Sequence, residues 1–270
     1  MLAAALALFV QTPDERVSSV TGELRIHSGF ASKILGNERN LRVWLPPHYE
    51  EEKRRYPVMY LNDGQNLFDG MTSFIPNQEW RADETAKTLI EAKLLPPMIL
   101  VGIDNAGAER GDEYLPTRQK YGGKADLYGR FLIEEVMPFV DKTYRTKRGP
   151  KETGLAGSSF GGVVTAYLGL RHPEVFGRLG ICSPSVWWDS RVLLKLVGAM
   201  PKKTDQRVWI DMGTAESDSG VADAQFLASI YVHKGWRRGK DLAYVVEAGK
   251  AHNEAAWAGR FDSMMLFLWR

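Results

Sequence analysis

Cysteine is almost missing: Cys182 is the single one in 270 residues. One thiol can form neither an internal disulfide nor a thiolate zinc cluster. Its setting, "LGICSPS", reads as the end of a buried strand and an inert core thiol, which leaves the compartment open. An excess of one charge sign is missing too. Thirty-five Lys and Arg stand against 33 Asp and Glu, a net charge of +2, and no basic run stands out, which argues against a nucleic-acid partner. Long apolar runs are also lacking. The N-terminal "MLAAALALFV" is ten residues, about half of what a bilayer span needs. It has the apolar stretch and small residues of an export signal but no basic n-region. Residues 1–18 are therefore read as a signal remnant or an N-terminal helix. That reading leans to a secreted or periplasmic protein, with a cytoplasmic one as the alternative. Repeats, low-complexity tracts and linkers are absent, so residues 19–270 are expected to form one domain, at a length that buries a sizeable core.

What is present is an alternation of strands and helices. "NLRVWLPP" alternates and stops at prolines. "PVMYLND" and "PMILVGIDN" are apolar runs closed by Asn, Asp and Gly, the pattern of strands covered on both faces. "RADETAKTLIEAK" between them is a helix of good formers, and residues 126–144 form another, which Pro138 should bend. Then follow "TGLAGS" (strand), "FGGVVTAYLGLRHPE" (helix), "RLGICSPS" and "RVWIDMG" (strands), a helix around "ADAQFLASIYVHKG", and "LAYVVEA" (strand). A closing helix carries Trp257, Phe261, Met264 and Leu268 on one stripe. This order predicts an α/β fold: a mostly parallel sheet flanked by helices, an αβα sandwich, opened by an antiparallel hairpin of "GELRIHSGF" and "NLRVWLPP". Reactive groups are expected at the carboxyl ends of its strands.

"TGLAGSSFGG" contains two serines, but only Ser159 has glycine two residues before (Gly157) and two after (Gly161). Gly-x-Ser-x-Gly between strand and helix is the nucleophile-elbow pattern, in which the turn lifts the hydroxyl out of the sheet edge and neighbours pass too close for side chains. The Phe160 N–H then lies at a helix N-terminus, aimed where an oxyanion forms. The partners must follow in the order acid, then histidine, each after a later strand. His27 and His48 precede the serine. His172 sits at the far end of the elbow helix, and His233 lies within an amphipathic helix. His252, just after the last strand in "EAGKAHNEAAW", has the required place. "WIDMGTAESDSG" offers Asp211, within the strand and too early, and Glu216 and Asp218 in the loop beyond it; either of the latter fits. The Asp63-Gly64 turn of "YLNDGQNLF" would aim the Gln65 N–H as a second oxyanion donor.

With these residues in place, the chain resembles the putative esterase family of α/β-hydrolases. That family includes feruloyl and acetyl-xylan esterases, S-formylglutathione hydrolases, enterochelin-type esterases and mycolyltransferases. The resemblance runs from about residue 22 to the C-terminus on "SKILGNERNLRVWLPPHY", "YLNDGQNLFD", "VGIDNAGAERGDEY", "GSSFGG", "CSPSVWW" and "HNEAAW". It implies the α/β-hydrolase fold and an esterase with Ser159 as nucleophile, His252 as base, and Gln65 and Phe160 amides as oxyanion donors. It favours Glu216 over Asp218 as the acid. Phe160 departs from the Met frequent at that point in relatives, which would alter the acyl pocket. The expected activity is serine carboxylic ester hydrolysis through an acyl-enzyme, with no metal or organic cofactor, on a small-molecule or carbohydrate-linked ester. The rival readings are an acyltransferase with the same triad and a non-catalytic binding protein on the same fold. Asn105, Arg110, Trp187 and Trp188 are candidates for the substrate pocket, with Trp80 and Trp257 as further aromatic wall. For Arg110 a salt bridge to Glu113 is the plainer expectation.

Overall fold

The computed structural model describes residues 16–200 and 203–270; the apolar stretch of residues 1–10, and with it the reading of residues 1–18 as a signal remnant or helix, lies outside them. Eight strands make one sheet: β1 (Glu23–Ala31), β2 (Glu38–Leu45), β3 (Val58–Asn62), β4 (Ile99–Ile103), β5 (Thr153–Ser158), β6 (Arg178–Cys182), β7 (Arg207–Gly213) and β8 (Leu242–Glu247). Their order is β1-β2-β4-β3-β5-β6-β7-β8. β2 is antiparallel to both β1 and β4, and the pairs from β4 through β8 are parallel. The expected α/β sandwich with an antiparallel opening hairpin is what forms. β3 and β5 are buried at every position, which is why they read as continuous apolar or small-residue runs rather than alternating ones.

The helices are α1 (Ala82–Glu91), α2 (Arg110–Tyr114), α3 (Ala125–Arg130), α4 (Met137–Thr143), α5 (Phe160–Arg171), α6 (Trp188–Gly198), α7 (Gly220–His233) and α8 (Glu254–Trp269). Among the described residues no helix is long and apolar enough to cross a membrane. α1 and α8 cover one face of the sheet over a core that includes Trp44, Met59, Leu100, Trp257 and Phe261. The larger core on the other face includes Tyr60, Val101, Leu155, Val164, Ile181 and Ile210. Where a bend at Pro138 is expected, the helix changes register upstream: Phe131–Val136 is a π-helical stretch between α3 and α4. Pro138 has no N–H to give to the preceding turn, and the wider turn upstream accommodates that loss. Cys182 is fully buried, and burial holds its thiol well above its ordinary pKa. α6 has no counterpart in the expected order; its first residues, Asp189, Ser190 and Arg191, have positive φ and give no helix-start signal.

Buried arginine–carboxylate pairs tie β2 to the loops of the sheet's working edge. Arg39 grips Glu113 of α2 through two hydrogen bonds of 2.8 and 2.9 Å, and Arg42 grips Asp104 after β4 at 2.7 and 3.0 Å. Both are bidentate forks, the geometry in which guanidinium specifies position best. Glu113 is therefore taken by Arg39, and Arg110 is left for another partner.

A different buried acid sets a pH dependence. Asp83 in α1 is fully buried, accepts from the Thr21 N–H at 2.6 Å and lies beside Glu84. Burial, with Glu84 adding to it, pushes its pKa up. A raised carboxyl pKa favours the protonated folded form, so this stabilisation is present on the acid side and fades as pH rises from about 4 into the neutral range. Asp83→Asn is expected to flatten the pH dependence of the melting temperature across that interval. An unchanged slope would remove Asp83 as its source.

Candidate active site

β3 lies between β4 and β5, so the chain leaves β3 on one side and returns to its other side. This is the point where an open α/β sheet leaves a crevice beyond its carboxyl ends. The loop after β3 and the turn after β5 meet there. Ser159 occupies that turn with φ 60° and ψ −122°, a region an L-residue enters only under constraint. The constraint is packing. A Cβ on Gly157 would come within 2.9 Å of the Asn62 side chain and 3.0 Å of the Gly161 carbonyl carbon. Gly162 is needed as much as the motif's own Gly161: a Cβ there would lie 2.8 Å from the Cys182 carbonyl oxygen. The Phe160 N–H is the first of α5 and has no acceptor within the helix.

His252 immediately precedes Asn253, the N-cap of α8, whose side chain accepts from the Ala256 N–H at 3.0 Å. That cap fixes the histidine at the mouth of the crevice. Its Nδ1 lies 2.7 Å from Glu216 Oε2, and its ring meets Trp257 edge-on with centroids 5.0 Å apart. The Glu216 side chain is only 2% exposed. Burial by itself would raise its pKa, but hydrogen bonds from His252, Ser183 and the Gly213 amide hold it below the ordinary carboxylate value. Asp218 is exposed and stands outside this cluster. Ser159 Oγ rests 3.2 Å from Ser185 Oγ rather than on His252. Ser159 and His252 nevertheless line the same two cavities. Unliganded catalytic hydrogen bonds are commonly loose.

Several residues that the sequence reading passed over hold this arrangement. Ser183 Oγ donates to Glu216 Oε1 at 2.6 Å and accepts from Trp257 Nε1 and Arg260 Nη2, both at 2.9 Å. One hydroxyl thus uses its donor and both acceptor sites. Arg260, 4% exposed, has Nε 3.1 Å from Asp211 and Nη2 3.4 Å from Glu216. The Nε contact is a charge contact rather than a directed hydrogen bond. Asp211 is buried within β7 as expected, and its use is as counter-ion to Arg260. The signal for this group was faint: an arginine at the apolar stripe's edge in α8, and a Ser-Pro-Ser loop after β6.

Gln65 follows β3 in a one-turn 3-10 helix entered through Asp63 in the left-handed conformation at φ 60°. Arg110 forks Asp63 at 2.6 and 2.8 Å, and Asn105 Nδ2 donates to the same carboxylate at 2.7 Å. The expected Arg110–Glu113 pair is corrected by this geometry: Arg110 braces the turn carrying Gln65 and reaches the Ser158 carbonyl at 3.4 Å. Asn105, Arg110, Gln65, Ser159, His252 and Trp257 line a cavity of about 450 Å³, with Phe74 and Ile75 at its rim. A second cavity of about 300 Å³ on the other side of Ser159 is lined by Phe160, Ser185, Trp187 and Met212. Trp187 is exposed there. Trp188 lines neither cavity: it is buried, packed on Tyr121 and Phe160, and its place in the pocket is corrected to the core. Trp80 is likewise core, against Trp257.

Fold and crevice define an α/β-hydrolase. The chain belongs to the family described as "Putative esterase", whose model matches residues 32–268, and it is an ester-hydrolysing enzyme of that class. It is 23% identical over 256 residues to Uncharacterized protein YbbA of Bacillus subtilis (strain 168), covering 89% of this chain and 96% of that one. It is 25% identical to an endo-1,4-beta-xylanase/feruloyl esterase of Xylanibacter ruminicola, covering 89% of this chain and 31% of that protein. The crystal structure of the enterobactin esterase FES from Shigella flexneri superposes with a TM-score of 0.73 at 22% identity, over 94% of this chain and 60% of that one.

Proposed function

We propose that the chain cleaves carboxylic esters through a covalent acyl-enzyme on Ser159, with His252 as general base and acid and Glu216 as the acid that orients it. The observation that carries this reading is the 2.7 Å His252–Glu216 contact beside a serine strained at φ 60° and ψ −122°. Ser159 Oγ turns from Ser185 to His252, gives its proton to Nε2 and attacks the ester carbonyl. The resulting oxyanion faces the Gln65 and Phe160 N–H groups. His252 returns the proton to the departing alcohol, and water then releases the acid by the same two proton transfers. The low pKa of Glu216 keeps it ionised, as an acceptor of the Nδ1–H and a stabiliser of the imidazolium must be. The His252 side chain is 39% exposed and reached from both cavities, so water has ready access, which favours hydrolysis over acyl transfer.

The substrate we infer is a small-molecule or carbohydrate-linked ester with an aryl group, which Phe74 and Trp257 on one side and Trp187 on the other suit. Feruloyl esterase and enterobactin esterase are the activities named for two of the relatives. A fluorophosphonate is expected to label the wild-type protein at Ser159, and a short-chain aryl ester to be turned over. Absence of both would overturn the reading. Glu216→Gln is expected to lower kcat by about 10⁴-fold, the loss seen for an orienting acid, and Asp218→Asn by less than about threefold. The opposite ranking in steady-state kinetics would move the acid to Asp218.

A further inference from the structure

Buried carboxylates near the working edge of this sheet are matched to arginines. Glu113 has Arg39, Asp104 has Arg42, Asp63 has Arg110, and Asp211 and Glu216 share Arg260. Among the described residues Glu254 has no such arginine, and unlike Asp83 and Glu79, which also lack one, it lies in the cavity of the candidate site. It is 5% exposed, it lines the 450 Å³ cavity beside Ser159 and His252, and among the described residues no cation pairs with it. Its one partner from another residue is the Asn66 amide, which donates to Oε1 at 3.2 Å. Asn66 is itself held in place, since its Oδ1 accepts from the Phe74 N–H at 2.9 Å. The cation lining the same cavity, Arg110, is committed to Asp63 through two hydrogen bonds. A carboxylate removed from water without a cation is costly, and burial pushes the Glu254 pKa up accordingly. Placed in the reaction chamber, such a group is supplied with a donor by whatever enters.

We propose that Glu254 is a specificity-determining residue that accepts a hydrogen bond from a hydroxyl group on the ester bound in this cavity. Asp63 lines the same space and neutralises Arg110, so that pair sets neither a hydroxyl nor an ammonium apart, and the hydroxyl is favoured by the neutral groups that share the wall with Glu254. Besides the Asp63–Arg110 pair, Ser158, Ser159 and His252, the polar wall holds the amides of Gln65, Asn66 and Asn105, neutral groups that suit hydroxyls. The proposal rests on the serine esterase reading above and names the substrate feature of that site.

Two matched ester pairs test it and separate the side of the ester that carries the hydroxyl: ethyl butyrate with ethyl 3-hydroxybutyrate for the acyl side, and propyl acetate with 2-hydroxyethyl acetate for the alcohol side. The wild-type enzyme is expected to favour the hydroxylated member of one pair by about tenfold or more in kcat/KM, through KM, the size of a hydrogen bond to a charged acceptor. Glu254→Met is expected to bring that ratio close to one, and Glu254→Gln, which keeps an acceptor oxygen, to retain part of it. The fluorophosphonate labelling rate of each variant reports whether the site is still assembled. A purely structural role would lower both members of a pair alike and leave the ratio intact, which overturns the proposal, as does a wild-type ratio of one in both pairs. A preference for acetylcholine over propyl acetate that disappears in Glu254→Met would assign the carboxylate to a cation and overturn the hydroxyl. If the unsubstituted esters are not turned over at all and Ser159 takes no label, the serine esterase reading itself fails. If they are turned over without discrimination, only the assignment of Glu254 fails.

Discussion

Ser159→Ala is expected to lower kcat on a short-chain aryl ester by roughly 10⁶-fold, the loss seen when a triad nucleophile is removed. Fluorophosphonate labelling is expected to vanish with it. The melting temperature should barely move, because Ser159 Oγ makes one hydroxyl contact, to Ser185, and alanine keeps the same backbone demand. Ser159→Gly separates the two effects. At φ 60° and ψ −122° a residue with a Cβ costs about 1–3 kcal/mol, and glycine removes most of that. Its greater freedom in the unfolded chain takes back about 0.5–1 kcal/mol. The net gain is on the order of 1 kcal/mol, or about 2–4 °C for a domain of this size. The glycine variant should therefore be as inactive as the alanine variant and melt higher. A glycine variant that melts below it would show that the elbow is not strained. The serine would then be held out by its surroundings at no conformational cost.

The same elbow shows how far a sequence carries a site. Ser159, its flanking glycines and His252 were legible because each is fixed by local chain geometry: a strand end, a short turn, a helix start. For the acid that geometry left Glu216 and Asp218 open, and the family resemblance favoured Glu216. Chain order then supplied the test that the spacing of one motif lacks. The sheet's strands were legible for a related reason, since β3, β4 and β5 are buried on both faces and carry unbroken apolar or small-residue runs. The crossing that puts β3 between β4 and β5 left no mark in the sequence, yet it sets Gln65 beside Ser159. Arg110 had a plausible partner three residues away in Glu113. The fold gave Glu113 to Arg39, 74 positions distant, and turned Arg110 to Asp63, 47 positions distant. Trp188 and Trp187 are adjacent in sequence but split between core and cavity, because successive residues of a helical turn point about 100° apart. Pairing between distant elements depends on which side chains are buried together, and local pattern does not encode that. Ser183 and Arg260 escaped notice for this reason.

Arg260→Met carries the largest expected loss of stability. The arginine is 4% exposed and is the cation that Asp211, with no exposure, and Glu216 share. Asp211 also accepts from Trp209 Nε1 at 2.7 Å and from the Ser183 N–H at 3.2 Å. Burial still holds its pKa above the ordinary value even with Arg260 opposing. Methionine fills similar space and leaves two buried carboxylates without a counter-charge. Removing one member of a buried ion pair costs about 3–5 kcal/mol, or roughly 6–20 °C of melting temperature in a domain of this size. The linkage has a sign. Asp211 lacking Arg260 would carry a still higher pKa, so the variant should lose most stability at neutral and alkaline pH and recover as pH falls toward the carboxylate range. Adding Asp211→Asn to Arg260→Met removes one stranded charge while Glu216 keeps its donors from Ser183, Gly213 and His252. The double variant should regain part of the loss at pH 7, measured by denaturant unfolding. If it is no more stable than the single variant, the arginine's contribution is packing of its long stem in α8, and the charge account of this network fails.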